Sequence, residues 1–235
     1  MAGYAQLTHI SLTGVDDQTE LARLAALSSQ YPLVEWGMLY SPKRQGLGGR
    51  YPSVQTLQRA LQELAPHVRV ALHVCGGGVP GLLSGEVQVT SLVEAVAARG
   101  GRVQLNFNQS RDALDLEALS ALLTRYKGLT FIVQENVANE GVARRMASHA
   151  NFAALFDASG GMGVERDVWP APLPGVSCGY AGGLGPDNLA EQVPRIRAAS
   201  AGRSHWIDLE GKLRTADDVF DLGRAQACLI AVMGS

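Results

Sequence analysis

No strong charge of either sign marks this chain. Its 20 Lys and Arg against 22 Asp and Glu leave a formal net charge of -2, so the surface lacks the field that gathers nucleic acid as a main partner. Cysteine is scarce as well. The three present, Cys75, Cys178 and Cys228, are an odd number without CxxC spacing and fit reduced thiols better than a disulfide framework or a structural zinc site. Met1 to Leu12 has no Lys or Arg followed by a long apolar run, so it reads as neither signal peptide nor membrane span, and a cytoplasmic location is expected. There is no obvious internal duplication, low-complexity tract or charge run.

What is present is a regular alternation. The 235 residues, 46% hydrophobic and 18% charged, suffice for one domain spanning 1–235 with a full core. Eight short apolar runs recur: Leu7 to Leu12, Leu33 to Tyr40, Val68 to Val74, Val103 to Phe107, Thr130 to Gln134, Ala154 to Ala158, Val176 to Tyr180 and His205 to Leu209. Between them, Asp16 to Gln30, Ser53 to Leu64, Thr90 to Ala98, Leu114 to Tyr126, Glu140 to Ser148, Pro186 to Ala199 and Thr215 to Met233 show helical spacing. Ser53 before Val54, and Thr215 with Asp218, supply capping oxygens.

Strands alternating with helices imply right-handed crossovers and a parallel sheet. The chain is therefore expected to form a single (β/α)8 TIM barrel with its working site on loops at the C-terminal ends of the strands. Gly160 to Gly163 and the run Pro170, Pro172 and Pro174 leave room in the sixth crossover for only a short helical turn near Val164 to Trp169. A doubly wound open sheet is the alternative, since strand count does not prove closure.

The most specific segment runs from Gly179 to Asn188. It leaves a strand through Gly182 and Gly183 and enters a helix with Pro186 at its first turn. Such a turn exposes backbone N–H groups at the positive end of a helix dipole, which stabilises an anion such as phosphate. Asp208-Leu209-Glu210-Gly211-Lys212 ends the next strand, and loops after the last two strands hold phosphate in many barrels. The competing reading is that the glycines only satisfy a tight turn.

Ala181-Gly182-Gly183-Leu184 with Pro186 and Asn188 resembles the strand-seven motif Ala-Gly-Gly-Leu-x-Pro-x-Asn of the phosphoribosylanthranilate isomerase family, tryptophan-biosynthesis barrels. Phe156-Asp157-Ala158, then Gly160, Gly161, Gly163 and Asp167-Val168-Trp169, resembles that family's Leu-Asp-Ala, glycine-rich loop and Phe-Asp-Trp. Val103-Gln104-Leu105 is similar to its Val-Gln-Leu-His. Gly37 with Ser41-Pro42-Lys43-Arg44 is similar to its Gly-Phe followed by Ser-Pro-Arg. The resemblance implies an isomerase of the aldose–ketose type that needs no cofactor or metal. It also implies Asp157 as general acid and substrate or phosphate contacts at Gly160, Gly161, Ala181, Gly182, Gly183 and Gly211.

The pattern departs at the family's catalytic cysteine, where Ser11 stands. A serine hydroxyl is not ionised near pH 7 without an activating base, whereas a thiol is readily tuned into that range. Asn106 replaces the strand-four histidine, and Leu209-Glu210-Gly211-Lys212 replaces Ser-Ser-Gly-Val-Glu. Replacement bases are Cys75 and His73, which alternation puts on one side of their strand, and Glu135 and Glu210 at other strand ends. Buried packing is the commoner fate of such a Cys and His. Asn106 and Asn108 suit sugar hydroxyls or loop capping.

The loop Lys43 to Tyr51 combines three cations with three glycines, suiting a lid in which Lys43 or Arg44 meets a carboxylate or phosphate, or simply a solvated loop. The expected partner is a small phosphorylated sugar or sugar adduct, with self-association left open. Three readings follow: an isomerase, a phosphate-ligand-binding barrel without catalysis, and a metal-assisted aldolase or hydrolase using His73, Asp157, Asp208 and Glu210. Those four show no ligand spacing.

Overall fold

Closure of the sheet decides between the two architectures that alternation allows. In the computed structural model, which describes residues 6–157 and 168–234, the strands are β1 Leu7–Thr13, β2 Val34–Tyr40, β3 Arg69–Cys75, β4 Arg102–Asn106, β5 Thr130–Glu135, β6 Phe152–Phe156, β7 Ser177–Ala181 and β8 His205–Leu209. Each pairs in parallel with the next, and β1 also pairs with β8, placing Ser11 opposite Asp208 and Leu12 opposite Leu209. This is a closed (β/α)8 TIM barrel. An open doubly wound sheet would leave two unpaired edges.

The helices are α1 Leu21–Gln30, α2 Val54–Glu63, α3 Gly78–Leu83, α4 Val87–Ala98, α5 Gln109–Asp112, α6 Leu116–Arg125, α7 Val142–Met146, α8 Leu189–Ala199 and α9 Leu222–Met233. Ser53 caps α2 as expected, accepting from the Thr56 amide at 3.2 Å. Other starts differ, for local reasons. Residues 16–20 form a turn because the Asp16 carboxylate takes the Gln18 amide and the Thr19 hydroxyl. Thr215 and Asp218 belong to a turn closed by the Thr215 amide on the Val219 carbonyl, so α9 starts later, capped by Asp221. Pro186 likewise precedes α8 instead of opening it. The helical turn expected near Val164 to Trp169 lies mostly outside the described residues, and Val168 and Trp169 are not helical.

Strand alternation sorts two interiors. Ile10, Leu12, Trp36, Leu72 and Val74 join the large core between barrel and helices. Ile132, Ala153, Leu155, Ala181 and Trp206 form a separate apolar cluster in the lumen. The rest of the lumen is polar, with a buried ion pair, where branched apolar residues are the usual filling. Arg102 Nε and Nη2 donate to Glu35 at 2.8 and 2.6 Å, and Ser11 donates to the same carboxylate at 2.7 Å. Burying these charges is tolerable because each is paired and hydrogen-bonded. The Arg102 guanidinium also lies over the Trp206 ring, 4.7 Å from its centroid. Gly179 makes that possible, since a Cβ there would stand 2.1 Å from the indole.

At the rim, Arg214 ties the loops after β1 and β8 together. Its Nη1 donates to the Gly14 carbonyl at 2.7 Å and its Nη2 to Asp16 at 2.9 Å. Among the described residues no helix is long and apolar enough to cross a membrane.

Candidate active site

The inward residue at the C-terminal end of β1 is Thr13, not Ser11. The strand runs past Leu12, so Ser11 falls one inward position deeper, 1% exposed and committed to Glu35 and Arg102. Ser11, the position matched to the family's catalytic cysteine, thus lies below the barrel mouth. Thr13 Oγ1 donates to Asp208 Oδ1 at 2.9 Å, in space left by Gly37, where a Cβ would meet that oxygen at 2.2 Å.

Above this level a cavity of about 440 Å³, counting the solvent at its opening, reaches from Gln104 and Gln134 across Asp157 and Asp208 to Gly182 and Gly211. β6 ends at Phe156, so Asp157 is the first residue beyond the sheet, 3% exposed. Gln134 Nε2 donates to its Oδ2 at 2.8 Å and Asn136 Nδ2 to its backbone carbonyl at 3.2 Å.

The glycine turn is pinned from behind. Asn188 accepts from the Gly185 amide and donates to the Gly183 carbonyl, both at 2.9 Å. Gly182 and Gly183 hold φ of 123° and 63°, a region that disfavours side chains. Among the described residues no protein acceptor takes the amides of Gly182, Gly183 or Gly211. All three residues, with Ala181 and Lys212, line the cavity. Unpaired amides beside a lysine make a socket for an anion.

Two more carboxyls stand on β8 and just after it. Burial raises the Asp208 carboxyl well above the carboxylate range, against the Thr13 hydrogen bond, and the Glu210 charge adds to the rise. Burial also raises Glu210, against Arg50, whose Nη1 donates to it at 2.6 Å. Groups raised in this way exchange protons nearer neutrality.

His73 and Cys75 do share the inward side of β3, yet they form no thiol–imidazole pair. The Cys75 thiol donates to the His73 backbone carbonyl at 3.5 Å and accepts from Asn106 Nδ2 at 3.4 Å. Burial, reinforced by Glu210, pushes Cys75 up to about 12, so it stays a thiol. Burial lowers His73 to about 4, leaving the imidazole neutral, with Nε2 4.0 Å from Asp208 Oδ2. Glu135, raised by burial and by Glu140, stands farther out in a wider bowl that adjoins the cavity.

Arg44 reaches that bowl, stacked over Tyr51 at 5.5 Å, while Lys43 is exposed and borders neither space. The cations against the carboxylates and glycines are Arg50 and Lys212, which sequence reasoning had not singled out. Their signal was present, in a cationic loop and directly after Gly211. Asn106 and Asn108 both line the bowl, Asn106 accepting from Gln104 Nε2 at 2.9 Å and Asn108 also capping α5. Gly160 and Gly161 lie outside the described residues. His73, Asp157, Asp208 and Glu210 do not assemble as a metal site, and no cluster of three such ligands occurs among the described residues.

No protein-family model matches this sequence, and no curated protein matches it. Solved structures do. TrpF from Jonesia denitrificans is 15% identical with a TM-score of 0.65, the alignment covering 97% of each chain. Phosphoribosyl anthranilate isomerase from Thermus thermophilus is 19% identical with a TM-score of 0.62, covering 95% of this chain and 97% of that one. A phosphoribosyl anthranilate isomerase in complex with reduced 1-(o-carboxyphenylamino)-1-deoxyribulose 5-phosphate is 18% identical with a TM-score of 0.61, covering 97% and 100%. At such identities the likeness is one of fold, and this barrel has the fold of those isomerases.

Proposed function

We propose that this protein binds a small phosphorylated sugar or sugar adduct at the barrel mouth and isomerises it by acid–base proton transfer, with Asp157 as general acid. The observation that carries the reading is the juxtaposition on one cavity of the Asp157 carboxyl with the amides of Gly182, Gly183 and Gly211, which no acceptor among the described residues takes. A phosphate seated on the amides places the adjoining carbon chain against the carboxyl. The phosphorylated adduct bound by a barrel of the same fold is a ligand of this kind.

In an aldose–ketose rearrangement, the acid protonates the ring oxygen as its bond to carbon 1 breaks, and a base removes the proton on carbon 2. Of the bases considered from sequence, Glu210 suits the second step best, because it lines the cavity and burial raises its carboxyl. Ser11 and Cys75 are held protonated and hydrogen-bonded, and His73 lies beneath Asp208.

The test pairs binding with turnover. Inorganic phosphate and ribose 5-phosphate are expected to raise the melting temperature, and phosphoribosylanthranilate to be turned over. Asp157→Asn is expected to keep the phosphate stabilisation and to lose about 100-fold or more in kcat. Turnover that survives this change removes the acid assignment. Stabilisation without turnover of any sugar phosphate would establish the second reading, a binding barrel without catalysis. That reading is favoured by Thr13 at the end of β1, where no group ionises near neutral pH.

A further inference from the structure

We infer that the cavity floor, formed by Gln104 of β4 and Asp208 of β8 with His73 of β3 behind them, is a specificity subsite that takes a hydroxyl group of the ligand's carbon chain. The inference rests on the phosphate-ester reading above and adds what the chain beyond the phosphate must carry.

Three observations converge on it. Gln104 is 3% exposed and lines the cavity, and its Nε2 is spent on Asn106 Oδ1, which fixes the amide. That Oε1 is buried and has no partner in the protein among the described residues. His73, its neighbour in register and 1% exposed, likewise has a buried Nδ1 without a protein partner. Asp208 closes the other side. Its Oδ1 is taken by Thr13, while its Oδ2 is 4.0 Å from His73 Nε2, too far for a hydrogen bond.

Leaving buried polar atoms without partners is costly, and a fold seldom leaves two on register-paired residues without a use for them. Gln104 Oε1 only accepts, so its complement is a donor. A charged donor would need a stronger counter-charge than an amide oxygen provides. A hydroxyl is neutral, donates to the amide, and retains lone pairs for a neighbouring donor. A site built to bond a hydroxyl rejects the analogue lacking it, because its own polar atoms are then left buried and unpaired.

The subsite centres on Gln104 of β4, whereas the glycine turn follows β7, so the two are separable by ligand. Calorimetric titration would compare inorganic phosphate, n-butyl phosphate and D-ribose 5-phosphate. Ribose 5-phosphate is expected to bind at least about ten-fold more tightly than butyl phosphate, which has no hydroxyl on its chain. In Gln104→Met, matched in length, that preference is expected to fall to about two-fold or less, with the loss confined to ribose 5-phosphate. The ligand-free variant loses the hydrogen bond to Asn106 along with the unpaired acceptor, so its melting temperature is expected to fall modestly, and it is the loss of preference confined to ribose 5-phosphate that a purely structural glutamine would not produce.

Equal binding of the two esters by the unaltered protein overturns the inference without any variant. So does a preference that survives in Gln104→Met, or in Gln104→Leu should the first variant not fold. Failure of inorganic phosphate itself to bind points elsewhere: the glycine socket, and with it the phosphate reading and this inference, would fall together.

Discussion

Arg102 and Glu35, 67 positions apart in the chain, meet inside the barrel through two hydrogen bonds of 2.6 and 2.8 Å. Burial alone would push the Glu35 carboxyl up, but the Arg102 charge and its hydrogen bonds outweigh that and hold it at about 2. Removing one partner leaves the other charge buried and unpaired. Arg102→Met is therefore expected to cost about 3–5 kcal/mol, read as a lowered urea midpoint. The double variant Glu35→Leu with Arg102→Met is expected to recover most of that loss. A double variant as unstable as the single one would show that the pair contributes through its fit against Ser11 and Trp206 and not through charge compensation.

The same interior sets the response to acid. His73 has its folded-state value lowered to about 4 from 6.5 by burial, so the unfolded chain takes up protons first as pH falls. Its contribution is complete above pH 6.5 and is lost as pH drops toward 4. Glu35, held near 2 against an ordinary 4.5, loses its contribution between those values. Asp208 acts oppositely, because a raised carboxyl stabilises at low pH and loses that contribution as pH rises through its folded value. Urea midpoints are expected to fall between pH 6.5 and 4, and to fall less in His73→Leu. An identical slope in that variant would remove His73 as a source of the acid sensitivity.

Much of the barrel was legible because its physics is local. Apolar runs of strand length separated by helical spacing require only neighbouring residues, and β8 matches its expected bounds. Closure was expected from the number of strands and their alternation with helices, and the β1–β8 pairing that joins the two ends of the chain bears it out. Strand ends were uncertain by the two residues that matter: Thr13 is polar and β-branched, compatible with strand or loop, and only its pairing with Gly37 of β2 decides. Arg102 fell just outside the expected strand at Val103, so a charge at an inward position went unread. The glycine turn was legible because its conformation demands glycine. That its amides stay unpaired depends on Asn188 binding the turn from the far side, which sequence order alone does not show.

Gly179 is expected to tolerate no side chain. An added methyl would stand 2.1 Å from the Trp206 ring, itself between the apolar lumen cluster and the Arg102 guanidinium. Gly179→Ala must displace the indole and is expected to cost about 3 kcal/mol, at the upper end of overpacking in a dense core. Thermal unfolding checks the magnitude. The fluorescence of Trp206, read in a variant carrying only that tryptophan, reports whether the ring has moved.

Gly211 offers the opposite case and the most direct probe of the anion socket. A Cβ built there meets nothing within 4 Å, so space does not dictate a glycine. Gly211→Ala and Gly211→Asp are both expected to leave stability within about 0.5 kcal/mol, as for surface substitutions away from special features. Their effects on ligand should diverge. The alanine adds only a methyl group, whereas the aspartate sets a negative charge among the amides that the phosphate needs. Gly211→Asp is expected to weaken inorganic phosphate by at least about ten-fold, through like-charge repulsion of a kilocalorie or more at a few ångströms. Added salt is expected to narrow that gap, since screening acts on repulsion and not on bulk. Equal phosphate affinity in the two variants would place the anion away from Gly211.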